Sequence, residues 1–208
     1  MVATISLKTA VIYGSVRRER RGINVARFLC RKLEDRRHTV TLVDPLEYEL
    51  PLLDLMYKEY GRGDAPVGIA AVGRILDEAD GFVIVSGEYN HSEPPALKNL
   101  LDHYQKEYLF KPSGIVTYSA GPFGGVRALI TLRAILAELG TPSIPTTMPV
   151  PNVGSAFDEH DNPRDAAYHE RVGRFLDEYE WYAYALKHAR RQEACESRIP
   201  GQQVLCRG

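Results

Sequence analysis

Short apolar runs along the chain alternate with longer segments in which apolar residues recur every three or four positions. Ala10 to Tyr13, Thr39 to Val43, Phe82 to Val85 and Gly114 to Tyr118 are runs bounded by glycine, proline or polar residues, and Ser143 to Thr147 is a weaker fifth. Runs of this length predict buried strands. Between them, helical spacing is kept by Val25, Ala26, Leu29 and Leu33, and by Val67, Ala70, Ala71, Ile75 and Ala79. It returns at Leu97, Leu100, Leu101 and Tyr104, and at Val126, Leu129, Ile130, Leu136 and Leu139. Each set predicts a helix with one apolar face. A last pattern, Val172, Phe175, Leu176, Tyr179, Tyr182 and Leu186, fades near His188. Residues 1–190 are therefore expected to form one domain and 191–208 a loosely ordered tail.

Five strands alternating with helices imply a parallel sheet covered on both faces, because parallel neighbours need crossovers and those crossovers share one hand. The expected class is α/β, a doubly wound three-layer α/β/α fold. No GxGxxG follows the first strand, which favours the flavodoxin-like strand order 2-1-3-4-5 over the dinucleotide-binding order. In such sheets ligands bind beyond the carboxyl ends of the strands, so the loops after Tyr13, Val85 and Tyr118 are where chemistry is expected. Residues 45–66 are too long for a bare turn and too apolar for a free loop; they are expected to pack over a site or to form an oligomer contact.

Composition narrows the function classes. With 208 residues, 44% hydrophobic and 25% charged, the chain is an ordinary packed domain, and a net charge of −1 argues against a nucleic-acid binder. No run approaches the length of a membrane span and the N-terminus lacks a signal-peptide pattern, so a cytoplasmic protein is expected. Three cysteines at unrelated spacings, Cys30, Cys195 and Cys206, predict neither a disulfide frame nor a metal site. Cys30 reads as a small buried hydrophobe.

The first loop, GSVRRERRG from Gly14 to Gly22, puts a hydroxyl and four guanidinium groups before a helix N-terminus, a combination suited to a phosphate. It is not a P-loop, for GxxxxGK[ST] is absent. The second, SGEYNHSEPPALKN from Ser86 to Asn99, has Ser92 to cap a helix and Pro94 and Pro95 to enter it. Capping does not account for Glu88, Tyr89, Asn90 and His91, which are read as contacts to a planar polar ligand or as a hydrogen-bonded turn. The third, YSAGPFGGVRA from Tyr118 to Ala128, offers Ser119 and glycines that permit close backbone approach.

Taken together, GSVRRERRG, GEYNHSEPPALKNLLDHY and KPSGIVTYSAGPFGGVRALITLRAIL resemble the NADPH-dependent FMN reductase family, flavodoxin-like proteins that include quinone, azo-dye and chromate reductases. The resemblance covers residues 8 to 188. It implies FMN as cofactor and NADPH, or NADH, as hydride donor, with small-molecule electron acceptors. The FMN phosphate would fall on Ser15, Arg17 and Arg20, helped by Asn24 and the N–H groups near Ile23. The flavin ring would lie against Glu88, Tyr89 and Asn90, with Ser119 and Gly121 from the third loop. It further implies hydride transfer at the flavin without an indispensable side-chain acid, and a homodimer or homotetramer. Two departures stand out: Gly87 where the family usually has proline, and Pro95 where it often has glycine. A flavodoxin-like electron carrier without its own nicotinamide reaction is the alternative.

Overall fold

The computed structural model describes residues 6–196. Its strands are β1 (Lys8–Tyr13), β2 (Thr39–Val43), β3 (Gly81–Gly87), β4 (Ser113–Tyr118) and β5 (Ser143–Val150). All pairings are parallel and the order is β2-β1-β3-β4-β5, as the alternation predicts. Register places Val11 beside Leu42 and Val83, and Val83 beside Gly114. The helices are α1 (Gly22–Asp35), α2 (Val67–Glu78), α3 (Pro95–Asp102), α4 (Val126–Glu138), α5 (Val153–Ala156) and α6 (Ala167–Glu196).

Strand alternation divides the core in two. Val11, Tyr13, Val83, Val85 and Val116 face α1 and α6, where they pack with Val25, Leu29, Phe175 and Tyr179. Ala10, Ile12, Phe82, Ile84 and Ile115 face α2, α3 and α4 through Ile69, Val72, Leu97, Leu100, Leu132 and Leu136. Because β1, β3 and β4 are buried on both faces, their centres read as short apolar runs without alternation. β5 is an edge strand and so tolerates Pro145 and Pro149, which blurred its signal in the sequence.

Three expectations change. α6 runs on past His188 to Glu196, since Ala, Arg, Gln and Glu sustain a helix without an apolar stripe; the rest of the expected tail lies outside the described residues. Ser92 does not cap α3: that helix starts at Pro95 with Pro94 at its cap position, and the Ser92 hydroxyl donates to Glu93 at 2.7 Å. The segment 45–66 is held along α3 rather than over a loop cluster. Asn99 accepts from the Leu53 N–H at 2.9 Å and donates to the Pro51 carbonyl at 2.7 Å.

Candidate functional site

The three loops meet at the carboxyl edge of the sheet in a cleft of about 200 Å³. Its lining takes Ser15, Arg17, Glu19, Arg20 and Arg21 from the first loop, Gly87, Glu88 and Tyr89 from the second, and Tyr118, Ser119 and Ala120 from the third, with Val153 and Gly154 of α5. Larger hollows of about 360 and 560 Å³ open where β1 and β2 begin, around Lys8 and Thr39, and involve none of these loops.

Ser15 is buried, and its hydroxyl lies 3.1 Å from the Tyr89 hydroxyl, joining the first two loops. Arg17 is exposed, with its guanidinium 5.9 Å from the centroid of the Tyr89 ring, and it has no ion pair among the described residues. Arg20 is less free. Its Nη1 pairs with Asp44, a carboxylate 1% exposed just beyond β2, and its guanidinium lies 5.6 Å from the centroid of the Tyr13 ring. Four arginines, Arg17, Arg18, Arg20 and Arg21, against Glu19 and Asp44 leave two net positive charges. That balances one phosphate monoester, which carries about −1.5 to −2.

Beneath this loop, Tyr118 donates to Tyr13 at 3.3 Å and Tyr13 donates to the Arg20 carbonyl at 3.3 Å. Burial pushes the Tyr118 phenol far above its ordinary value, so it stays protonated and serves as a donor. The Tyr118 ring also fills the space in front of Gly22, the first residue of α1.

Glu88 does more than face the cleft. Its Oε2 accepts from the Arg127 N–H at 2.9 Å, and its Oε1 pairs with the Arg127 guanidinium at 3.2 Å. The guanidinium stands 4.8 Å over the Phe123 ring. Burial alone would raise the Glu88 carboxyl; the N–H groups of Arg127 and Ala128, with the Arg127 guanidinium, outweigh it and hold the group below the usual carboxylate range. An anion from the second loop thus caps α4 and fixes the second and third loops together.

The remaining expected residues are placed less directly. Asn90 and His91 form the exposed tip of a tight hairpin in which Tyr89 and Ser92 exchange backbone hydrogen bonds of 2.9 and 3.1 Å. Asn90 does not line the cleft. Asn24 turns away and donates to the Asp158 carbonyl at 3.1 Å. The N–H groups of Ile23 and Asn24 go to the carbonyls of Arg20 and Arg21 at 3.1 and 3.3 Å, which corrects their expected role as free phosphate donors. Ser119 donates to the Gly121 carbonyl at 2.8 Å; Gly121 is not part of the lining and has open space where a Cβ would be. Asp44, Tyr118 and Val153 escaped the sequence reading, although an acid directly after a strand at the expected edge was a usable signal for Asp44. Cys30 is half-buried against the core, and burial pushes its thiol up to about 12.

A family model described as NADPH-dependent FMN reductase matches residues 7–154. A 2-hydroxy-1,4-benzoquinone reductase of Burkholderia sp is 30% identical over 144 residues, covering 65% of this chain and 73% of that protein. An NADPH azoreductase of Bacillus sp. (strain OY1-2) is 30% identical over 143 residues, covering 67% and 74%. Among solved structures, the flavoenzyme NAD(P)H:(acceptor) oxidoreductase FerB of Paracoccus denitrificans aligns with a TM-score of 0.65 at 23% identity, over 85% of this chain and 98% of that one, a likeness of fold.

Proposed function

The chain belongs to the NADPH-dependent FMN reductase family, and from that premise we propose that it is an NAD(P)H-dependent, FMN-containing reductase working in two successive two-electron half-reactions. The acceptors are quinones, azo compounds, free flavin or metal oxyanions. The observation that carries this reading is the meeting of all three loops in one cleft whose first loop, with Asp44 counted against its arginines, keeps two net positive charges. Ser15, Arg17, Arg20 and Arg21 would hold the FMN phosphate. Glu88 and Tyr89, with Ser119, would border the ring, Asn90 shaping the hairpin that carries Tyr89 and Gly121 leaving room.

Bound FMN would supply the redox chemistry, taking hydride from the nicotinamide and handing two electrons to the acceptor. The protein's part is position and electrostatics. The Glu88 clamp holds the second and third loops at fixed separation, and the phenols of Tyr13 and Tyr118 keep their protons beneath the first. A cleft of about 200 Å³, below the roughly 300 Å³ of sites that enclose their ligands, would leave part of a bound flavin open to a second redox partner. The named activities of the relatives, on a benzoquinone and with NADPH on azo compounds, support the acceptor classes.

The purified protein is expected to show flavin absorption and to bleach anaerobically on addition of NADPH or NADH, then recover with a quinone. A bound flavin that neither nucleotide reduces would favour an electron carrier, and no affinity for FMN would overturn both readings. For the phosphate assignment, Arg17→Ala is expected to weaken FMN by about tenfold and to leave riboflavin, which lacks the phosphate, unaffected.

The working assembly is a homodimer or homotetramer. The support is the segment 45–66, hydrogen-bonded to α3 yet presenting Leu46, Leu52, Leu53 and Leu55 to solvent, with Leu52 85% exposed. Sedimentation should give an oligomer that Leu52→Asp with Leu53→Asp dissociates; a monomeric native protein would sink this assignment. A nicotinamide-driven reductase is placed in the cytoplasm, where its donor is supplied, and cell fractionation tests that. Among the described residues no helix is long and apolar enough to cross a membrane.

A further inference from the structure

Asp44 is buried at the first position beyond β2, where an unpaired carboxylate would be costly. Its Oδ1 takes the Leu46 N–H at 3.1 Å and the Nη1 of Arg20. Arg20 is held at two further points: its guanidinium lies near the face of Tyr13, and its carbonyl receives the Tyr13 hydroxyl. Arg18 and Arg21, by contrast, have no ion pair among the described residues. Of the four guanidinium groups, that of Arg20 is thus ion-paired in the cleft wall, while the other three have no ion pair among the described residues.

We propose that Asp44 is a positioning residue for phosphate binding: through its ion pair it holds Arg20 in a single orientation as part of the cleft wall. The proposal rests on the reading that this loop holds the FMN phosphate. Charge and position here predict opposite signs. As a bare negative charge near a phosphate, Asp44 would weaken binding, so its neutralisation would tighten FMN. As the anchor of Arg20 it strengthens binding, because an arginine ordered beforehand loses less rotamer freedom when the anion arrives.

The test is Asp44→Asn in the full chain, titrated with FMN and with riboflavin by flavin fluorescence after removal of bound flavin. The expected result is an FMN Kd raised about tenfold with riboflavin unchanged. In the Arg20→Gln background, Asp44→Asn is expected to add no further loss. FMN binding that tightens or stays the same would overturn the proposal, and so would an equal loss of both flavins, which marks a merely structural carboxylate. Should the variant fail to fold, side-chain NMR of the unaltered protein decides: Arg20 must show restricted guanidinium rotation and Arg18 free rotation, and a freely rotating Arg20 overturns the proposal. Failure of the underlying reading is separable, because Arg17→Ala would then spare FMN whatever Asp44→Asn does.

Discussion

His91 is one of the residues at which side chain and backbone pull apart. Asn90 and His91 have φ of 50° and 69°, the positive values required at both central positions of a two-residue hairpin turn. Both residue types enter that region more readily than most, yet the histidine Cβ there still costs about 1 kcal/mol, which glycine would not incur. His91→Gly is expected to raise stability by up to about 1 kcal/mol in chemical denaturation, the gain being trimmed by the greater unfolded-state freedom of glycine. Glu88 gives a second prediction through its lowered carboxyl. A group depressed by folding contributes stability above its unfolded value, near 4.3, and loses it as pH falls through the lower folded value. The difference in melting temperature between native protein and Glu88→Gln should therefore be full at pH 6 and shrink below about pH 4; a constant difference down to pH 3 would dismiss the clamp.

At the scale of elements, the start of α1 and the end of β4 approach too closely for any side chain but hydrogen at position 22. A Cβ there would fall onto the Tyr118 ring, whereas one at Gly87 would sit 3.1 Å from it. Gly22→Ala is expected to cost about 1–3 kcal/mol by overpacking and to weaken FMN. In the Tyr118→Val background the same change should be nearly neutral, a non-additivity that a double-mutant cycle measures. The strands behind these contacts were legible because burial on both faces makes the centres of β1, β3 and β4 apolar, at Ala10 to Tyr13, Phe82 to Val85 and Ile115 to Val116. Less legible were features set by tertiary contact. Ser92 has the composition of a cap, but the hairpin to Tyr89 claims its backbone and Glu93 its hydroxyl. Asn24 follows the phosphate loop as a ligand would, yet it serves the loop between α5 and α6. The arginine cluster was visible by spacing; that Asp44 takes up one of its charges was not, because 24 residues separate the pair.

The whole molecule divides its tasks between the two edges of the sheet. At the carboxyl edge, loops gather the candidate flavin site; at the amino edge, Asp80 ties α6 to the strands. Its Oδ2 accepts from the Lys8 N–H at 2.8 Å and from Lys187 Nζ at 2.7 Å, and the Arg190 guanidinium stands 3.7 Å from its Oδ1. Lys111 sits nearby, donating to the last carbonyls of α2, and burial lowers it to about 8. Removing the central anion would leave Lys187 and Arg190 facing each other in a poorly solvated space, with side chains only 14% and 17% exposed. Asp80→Ala should therefore destabilise the fold by about 3 kcal/mol, read from denaturant unfolding. Since the five strands lie between this knot and the cleft, FMN affinity at 25 °C should stay within about twofold of the native value. Arg17→Ala is expected to do the reverse, weakening FMN while leaving unfolding of the flavin-free chain unchanged. If Asp80→Ala instead lowered FMN affinity in step with stability, the two edges would be coupled and α6 would have to be counted among the elements that shape the site.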